Sequence, residues 1–312
     1  MSDGAKPWFE DRAIVRQFPL RFRFLALYCR MMRSRASGIV RGGSFLHRML
    51  ARVTRVLRLS DTVSVRLGGA TVFLDLLDSR IWWVLDEVGG GGAEHEVLRR
   101  CISPGDTFVD VGANHGGYAV FAAALTGPGG RVVAFEPQAR LARLVERSLA
   151  ATGASPFEVL EVACGDRDQV VELFVPSVAS GSASVFGDYR SGPAASAQVR
   201  QVLFDDAVDW HGFPGRVFLK LDVEGSELAF LRGAERMIGA RRPLILLEIN
   251  PESARAGGYG VGDVLRKLSD LGYDRAVELN RLSDAVPLAT IDQSLQRNVV
   301  AVHALSESWR RE

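Results

Sequence analysis

Cysteine is scarce in this 312-residue chain, and Cys29, Cys101 and Cys164 stand far apart with no Cys-x-x-Cys spacing. An odd, scattered set excludes a disulfide framework and a zinc site. It predicts reduced thiols, each a small buried apolar residue, in a cytoplasmic protein. Uninterrupted apolar runs of 18 residues are absent, which argues against a membrane-spanning helix. Met1 to Glu10 carries both signs of charge and lacks the basic start and apolar middle of a secretory signal. Acidic residues are missing altogether from Arg12 to Ser60. Residues 1–60 hold 13 Lys and Arg against 3 Asp and Glu, while the remainder holds 25 against 34. The net charge of +1 therefore hides a basic segment joined to an acidic one, and the two differ in role.

Helical patterning fills the basic segment. Phe22, Leu25, Ala26, Cys29 and Met32 recur at helical spacing, and so do Leu46, Met49, Leu50, Val53 and Leu57. Arg48, Arg52 and Arg55 fall on another face of the second stretch. The pattern predicts a basic helical extension over residues 1–60, with two amphipathic helices broken near Ser37 to Ser44. Three roles suit it: packing on its own core, joining subunits into a homo-oligomer, or peripheral contact with an anionic membrane. Nucleic acid is disfavoured, because a basic face alone specifies little.

From residue 61 to 312 the pattern is that of one α/β domain. Val63, Val65 and Leu67 alternate and Ala70 to Leu76 is a second extended run, so a hairpin and then a helix at Glu94 to Cys101 form a lead-in over 61–105. Gly89 to Gly92 reads as a flexible loop. Extended apolar runs then follow at Thr107–Val111, Arg131–Phe135, Glu158–Val162, Val217–Leu221, Leu244–Ile249 and Val299–His303. Apolar stripes at Leu141, Leu144, Val145, Leu149 and at Leu228, Leu231, Ala234, Ile238 predict helices between some of them. Such alternation indicates a mainly parallel, Rossmann-like sheet with helices on both faces. Val170–Val175 and Val199–Phe204 read as extra strands inserted between the third and fourth core strands.

The chemistry concentrates at strand ends. Asp110-Val-Gly112-Ala113-Asn114-His115-Gly116-Gly117 follows an apolar strand and precedes a helical pattern, a place where glycines let backbone pass close to a ligand. The G-x-G-x-x-G dinucleotide fingerprint fails because position 114 is Asn, and no G-K-[ST] of a P-loop follows. An acid at Asp110 suits a ligand with a positive amino group, as in S-adenosylmethionine, and repels a pyrophosphate. Asp110, Gly112, Ala113, Asn114 and Gly116 are therefore candidate cofactor contacts. Glu136 ends the next strand, where a carboxylate can accept from both ribose hydroxyls. Ala163-Cys-Gly-Asp166 ends the third, with Asp166 a candidate beside the adenine.

Lys220-Leu-Asp222-Val-Glu224-Gly-Ser-Glu227 ends the fourth strand, and such a concentration of charge needs partners if buried. Asp222 stands where a side chain would reach a transferring methyl group. Glu248 and Asn250 share a face at the end of the fifth strand. Asp222, Glu224 and Glu248 are the catalytic candidates, with Asp222 the first choice as base and His115 a weaker one. The same oxygens could hold Mg²⁺ or a similar ion, or act without metal.

Phe108-Val-Asp-Val-Gly-Ala-Asn114, Phe135-Glu-Pro137, Ser180-Gly-Ser-Ala-Ser184 and above all Lys220 to Glu227 resemble the FkbM-type methyltransferases over Asp106 to about Asn250. The resemblance implies a class I methyltransferase fold whose seven-stranded sheet has an antiparallel last strand. It also implies S-adenosylmethionine-dependent O-methylation of a sugar or natural-product acceptor. The arginine-rich extension has no counterpart in that pattern. An NAD-dependent oxidoreductase and a non-catalytic module that merely binds S-adenosylmethionine stay as rivals.

Overall fold

The computed structural model describes residues 12–23, 47, 49–78, 80–176, 183–186, 194–279 and 285–305. Its frame is one eight-stranded sheet. In chain order the sheet strands are β3 (Thr107–Val111), β4 (Arg131–Phe135), β5 (Phe157–Leu160), β9 (Val217–Leu221), β10 (Leu244–Ile249), β11 (Tyr273–Glu278), β12 (Ala285–Pro287) and β13 (Arg297–His303). They lie in the order β12-β11-β13-β10-β9-β3-β4-β5. β5, β4, β3, β9 and β10 run parallel, and β13 is antiparallel to both β10 and β11. The seven strands expected are present with the last one antiparallel, and the three-residue β12 adds an eighth at the edge.

Alternation along each strand divides the interior in two. Phe108, Val132, Ala134, Phe218 and Leu246 join one apolar core, while Val109, Val111, Val133, Leu219 and Leu247 join the other. Successive residues point to opposite faces, so a strand buried on both is apolar along most of its length, with Asp110 of β3 and Lys220 of β9 the buried charged exceptions. The chain runs outward from β3 to β5, then returns to start again at β9 beside β3. Ligands of open parallel sheets sit at such a switch point, beyond the strands' carboxyl ends.

The first core is capped by α2 (Ile81–Gly89), α3 (Ala93–Cys101), α4 (Gly117–Thr126) and α5 (Ala139–Thr152). α2 was not expected, because Arg80 at its start offers no side-chain cap and Ile-Trp-Trp-Val-Leu carries no polar interruption. The hairpin of β1 (Thr62–Leu67) and β2 (Ala70–Asp75) lies against α5, where Arg140 pairs with Asp75 and with Asp61 at 3.0 Å. Between β5 and β9 the predicted insert is present as a three-stranded sheet of β6 (Ala163–Cys164), β7 (Gln169–Pro176) and β8 (Ala194–Val202). β8 ends before Phe204, which is buried in the second core.

The helix predicted through Leu228 and Ile238 is two, Glu227–Gly233 and Glu235–Arg241. A Cβ on Gly233 would lie 1.9 Å from the Gly165 carbonyl, and Ala234 at φ −121° leaves the helical region to allow that approach. Pro251–Ala256 and Val261–Asp270 were also not expected, and the apolar runs located six of the seven strands but not β11. β11 carries three charges in Tyr-Asp-Arg-Ala-Val-Glu and so shows no apolar run.

Residue 60 is not a break in packing. Ile14 in α1 (Arg12–Gln17), Phe18, Phe22 and Leu50 are buried in the same core as Val65 and Leu74 of the hairpin. Gln17 bonds the Arg66 backbone both as donor, at 3.1 Å, and as acceptor, at 2.7 Å. Residues 49–56 are helical; the other predicted helix falls largely outside the described residues. Cys101 and Cys164 are buried and unbridged, and Cys29 lies outside the described residues. No helix among the described residues is long and apolar enough to cross a membrane.

Candidate active site

The ends of β3, β4, β9 and β10 surround a cleft with two compartments. Backbone builds the first. Gly112, at φ 84°, and Ala113 both donate N–H to the Phe135 carbonyl at 3.0 Å, which folds the turn across the end of β4. A Cβ on Gly112 would lie 1.9 Å from the Asp222 carbonyl, so only glycine lets the β3 and β9 ends meet here. Asn114, also left-handed at φ 53°, donates its N–H to Glu136 Oε2 at 2.8 Å. Gln138 donates to Oε1 at 2.9 Å. Burial pushes the Glu136 carboxyl up to about 7, opposed by those two N–H groups. Each carboxylate oxygen has two lone pairs, which leaves room for hydroxyl donors beside these N–H groups. Ala163 and Cys164 from β6, and Ala183 and Ser184 from the insert, close the compartment.

Charged side chains build the second. Lys220 is buried with its Nζ 3.4 Å from Asp110 and 3.3 Å from Asp222, and 5.2 Å from the centre of the Tyr118 ring. Burial opposes its charge, but Asp222, Asp110 and Glu87 outweigh that and raise its pKa. Arg80 meets Glu87 at 3.0 Å across two turns of α2. Burial raises the Glu87 carboxyl, with Arg80 and Lys220 opposing. Arg80, Glu87, Tyr118, Lys220 and Asp222 line both compartments and so form their shared wall. Beyond that wall opens a cavity of about 390 Å³, edged by Trp83, Asp86, Glu94, His95, Glu248 and Asn298.

The three catalytic candidates come together: one carboxylate oxygen each from Asp222, Glu224 and Glu248 lies within 4.8 Å of the others. Glu224 is buried in the left-handed region at φ 46°, and its carbonyl accepts from the Ser184 hydroxyl at 2.9 Å. Glu248 accepts from Gln296 Nε2 at 2.5 Å and Asn250 Nδ2 at 3.3 Å. Asn250 itself caps the following helix by accepting from the Glu252 and Ser253 N–H groups. Glu227, the last acid of the motif, turns away to accept from the Tyr259 hydroxyl at 2.6 Å.

Of the cofactor candidates, Gly112, Ala113, Asn114 and Glu136 line the first compartment. Three others do not. Asp110 is fully buried beneath the turn as the partner of Lys220, and burial raises its pKa against that ammonium. Gly116, at φ 76°, starts α4 against Val145, whose two methyls would stand 3.0 Å from a Cβ. Asp166 leaves the cleft because Gly165 donates to the Val202 carbonyl at 2.9 Å and turns the chain, so Asp166 lies in a separate groove 3.8 Å from Arg232. His115 is also buried, bonded to Asn114 Oδ1 at 2.8 Å, and burial lowers its pKa to about 3. Sequence reasoning missed Arg80 and Glu87. Seven apart, they stand two helical turns from one another, with Arg80 at the helix start and Asp86 beside Glu87, so no motif marked them.

A family profile described as the methyltransferase FkbM domain matches residues 110–275. No curated protein matches the chain. Among solved structures, methyltransferase FkbM from Methylobacillus flagellatus KT is 17% identical, covering 92% of this chain and 72% of its own, with a TM-score of 0.38. A SAM-dependent O-methyltransferase from Thermotoga maritima is 12% identical over 82% of each chain, with a TM-score of 0.36. Aeropyrum pernix fibrillarin with natively bound S-adenosyl-L-methionine is 13% identical over 78% of this chain and 94% of that one, with a TM-score of 0.37.

Proposed function

The chain belongs to the FkbM methyltransferase family, and from that premise we propose that it methylates a hydroxyl oxygen on a sugar or natural-product acceptor. It is an S-adenosylmethionine-dependent enzyme of that family, which sets aside the NAD-dependent reading. When bound, the cofactor supplies a methyl group activated on a positive sulfur. The first compartment fits it: Glu136 would take the ribose hydroxyls, and the Gly112–Asn114 turn would pass along the methionine part.

The observation that carries the oxygen reading is Asp222 on the wall shared by the two compartments. A hydroxyl is a poor nucleophile, and a carboxylate beside it accepts its proton as the new carbon–oxygen bond forms and the carbon–sulfur bond breaks. Lys220 lies 3.3 Å from Asp222 and fixes its place on the wall. Around the second cavity Glu94, Glu248 and Asp86 can accept from further hydroxyls, and the exposed Trp83 offers a flat apolar face to a sugar ring. A second reading has Mg²⁺ or a similar ion on Asp222, Glu224 and Glu248, favoured by their oxygens lying within 4.8 Å.

The test is methyl transfer from labelled S-adenosylmethionine onto extracts of the source cell. Label recovered as a methyl ether supports the proposal, and label on nitrogen or carbon overturns it. Cofactor binding with no transfer to any extract points to the binding module. Reversible loss of activity with chelator favours the metal reading.

A further inference from the structure

The helix over residues 49–56 has a buried inner face and an exposed apolar outer one. His47, Leu50, Ala51 and Thr54 form the inner one and are buried, with Leu50 in the core that holds Phe22 and Leu74. Met49, Val53, Val56 and Leu57 form the outer one, at the i, i+4, i+7, i+8 spacing of a single helical stripe. Their exposures are 48%, 39%, 72% and 61%. Of the eleven large hydrophobics exposed among the described residues, six fall within residues 20–59, with Leu20 and Leu59 joining these four. This concentration sets the segment apart from the scattered exposed apolar side chains of the rest.

Charge decides what the stripe meets. Arg52 and Arg55 flank it along one side, Arg58 follows it, and all three are exposed. No acidic residue occurs between Arg12 and Ser60 to neutralise them. A second copy docked on this face by a two-fold axis would bring the same arginines towards their own images. Nucleic acid would use the arginines but leave the apolar stripe in water. A negatively charged lipid surface takes both, the side chains into the acyl boundary and the guanidiniums onto phosphate.

We propose that the outer face of the 49–56 helix is a docking site for an anionic membrane surface, with Met49, Val53, Val56 and Leu57 inserted and Arg52, Arg55 and Arg58 on the headgroups. The catalytic domain then works at that surface while its own acidic remainder stays in solution. The inner face fixes the helix to the hairpin core, so docking needs no unfolding.

Flotation of the full chain with vesicles tests this, using phosphatidylglycerol and phosphatidylcholine in equal parts against phosphatidylcholine alone. The chain is expected to float with the mixed vesicles at low salt, and to float less at high salt as the charges are screened. The double variant Val56→Asp, Leu57→Asp should lose about tenfold or more in vesicle affinity. Arg52→Ala and Arg55→Ala should each lose about fivefold, on the mixed vesicles only. Both sets change exposed side chains, and unchanged circular-dichroism melting verifies the fold. A chain that stays unbound at low salt, or one that binds both vesicle types equally, overturns the proposal. So does a double variant that floats like the parent. Dimers that dissociate in the Val56→Asp, Leu57→Asp variant, without flotation of the parent, reassign the face to a second copy. Salt-sensitive binding to duplex DNA without flotation reassigns it to nucleic acid.

Discussion

The two compartments of the cleft are built in opposite ways. Away from the shared wall the first presents backbone: two N–H groups of the Gly112–Ala113 turn fold onto the end of β4, and the Glu136 carboxylate is held by the N–H groups of Asn114 and Gln138. The second rests on the wall it shares with the first, which presents charge against charge, with Lys220 between Asp110 and Asp222 and Arg80 on Glu87. Backbone donors are fixed by the fold and need little support. Buried charges are fixed only by one another, and removing one strands the rest. The first compartment thus tolerates change in its neighbours better than the second.

The sharpest way to break this contrast is Lys220→Met. It leaves Asp110, fully buried, without its counter-charge, and should cost about 3–5 kcal/mol of stability, read from urea unfolding. A variant as stable as the parent would mean that Asp110 is held neutral and the second compartment is not a charge network at all. Next comes Asp222→Asn, which keeps shape and removes charge. It should lower turnover on the order of 10²-fold while cofactor affinity shifts only a few-fold. Full activity with the true acceptor would remove Asp222 as the base, and a parallel loss of cofactor affinity would assign it to the first compartment instead.

The smallest effect concerns Glu136 and pH. Its carboxyl is raised from the usual carboxylate range to about 7 in the folded chain. Between those values the folded state binds a proton that the unfolded state lacks, so this group's contribution to stability falls as pH rises through about 7. Cofactor affinity should move the other way, because ribose hydroxyls donate to the ionised form. Calorimetry with S-adenosylhomocysteine should find binding weaker by about 1–3 kcal/mol once the carboxylate is lost, either below its pKa or in Glu136→Ala. In Glu136→Gln the pH dependence should flatten. A slope that survives this substitution would place the titrating group elsewhere in the cleft.

How far the site could be read from the chain follows the same division. β3, β4, β9 and β10 were legible because strands buried on both faces are apolar along most of their length. The gathering of the Gly112 turn and the acids at 136, 222, 224 and 248 about one cleft was legible because each stands at or just beyond the end of a strand of the parallel sheet. Arg80 and Glu87 were not, since they reach the cleft from a helix outside any motif and are explained only by each other. Asp166 misled because its direction depends on a bond from Gly165 to β8, a strand across an insert. Asp110 misled more usefully: its acidity was read as aimed at a ligand, whereas it supports Lys220 from beneath.

The contact between Gly112 and the Asp222 carbonyl carries a consequence for redesign. It works like the rivet of a pair of callipers, joining the jaw that would grip the donor to the jaw that carries the proposed base. The spacing between the jaws is then independent of whatever lies in the outer cavity. New acceptors are best sought by exchanging Trp83, Asp86 and Glu94 on the rim, residues that can change shape while the rivet keeps its gauge.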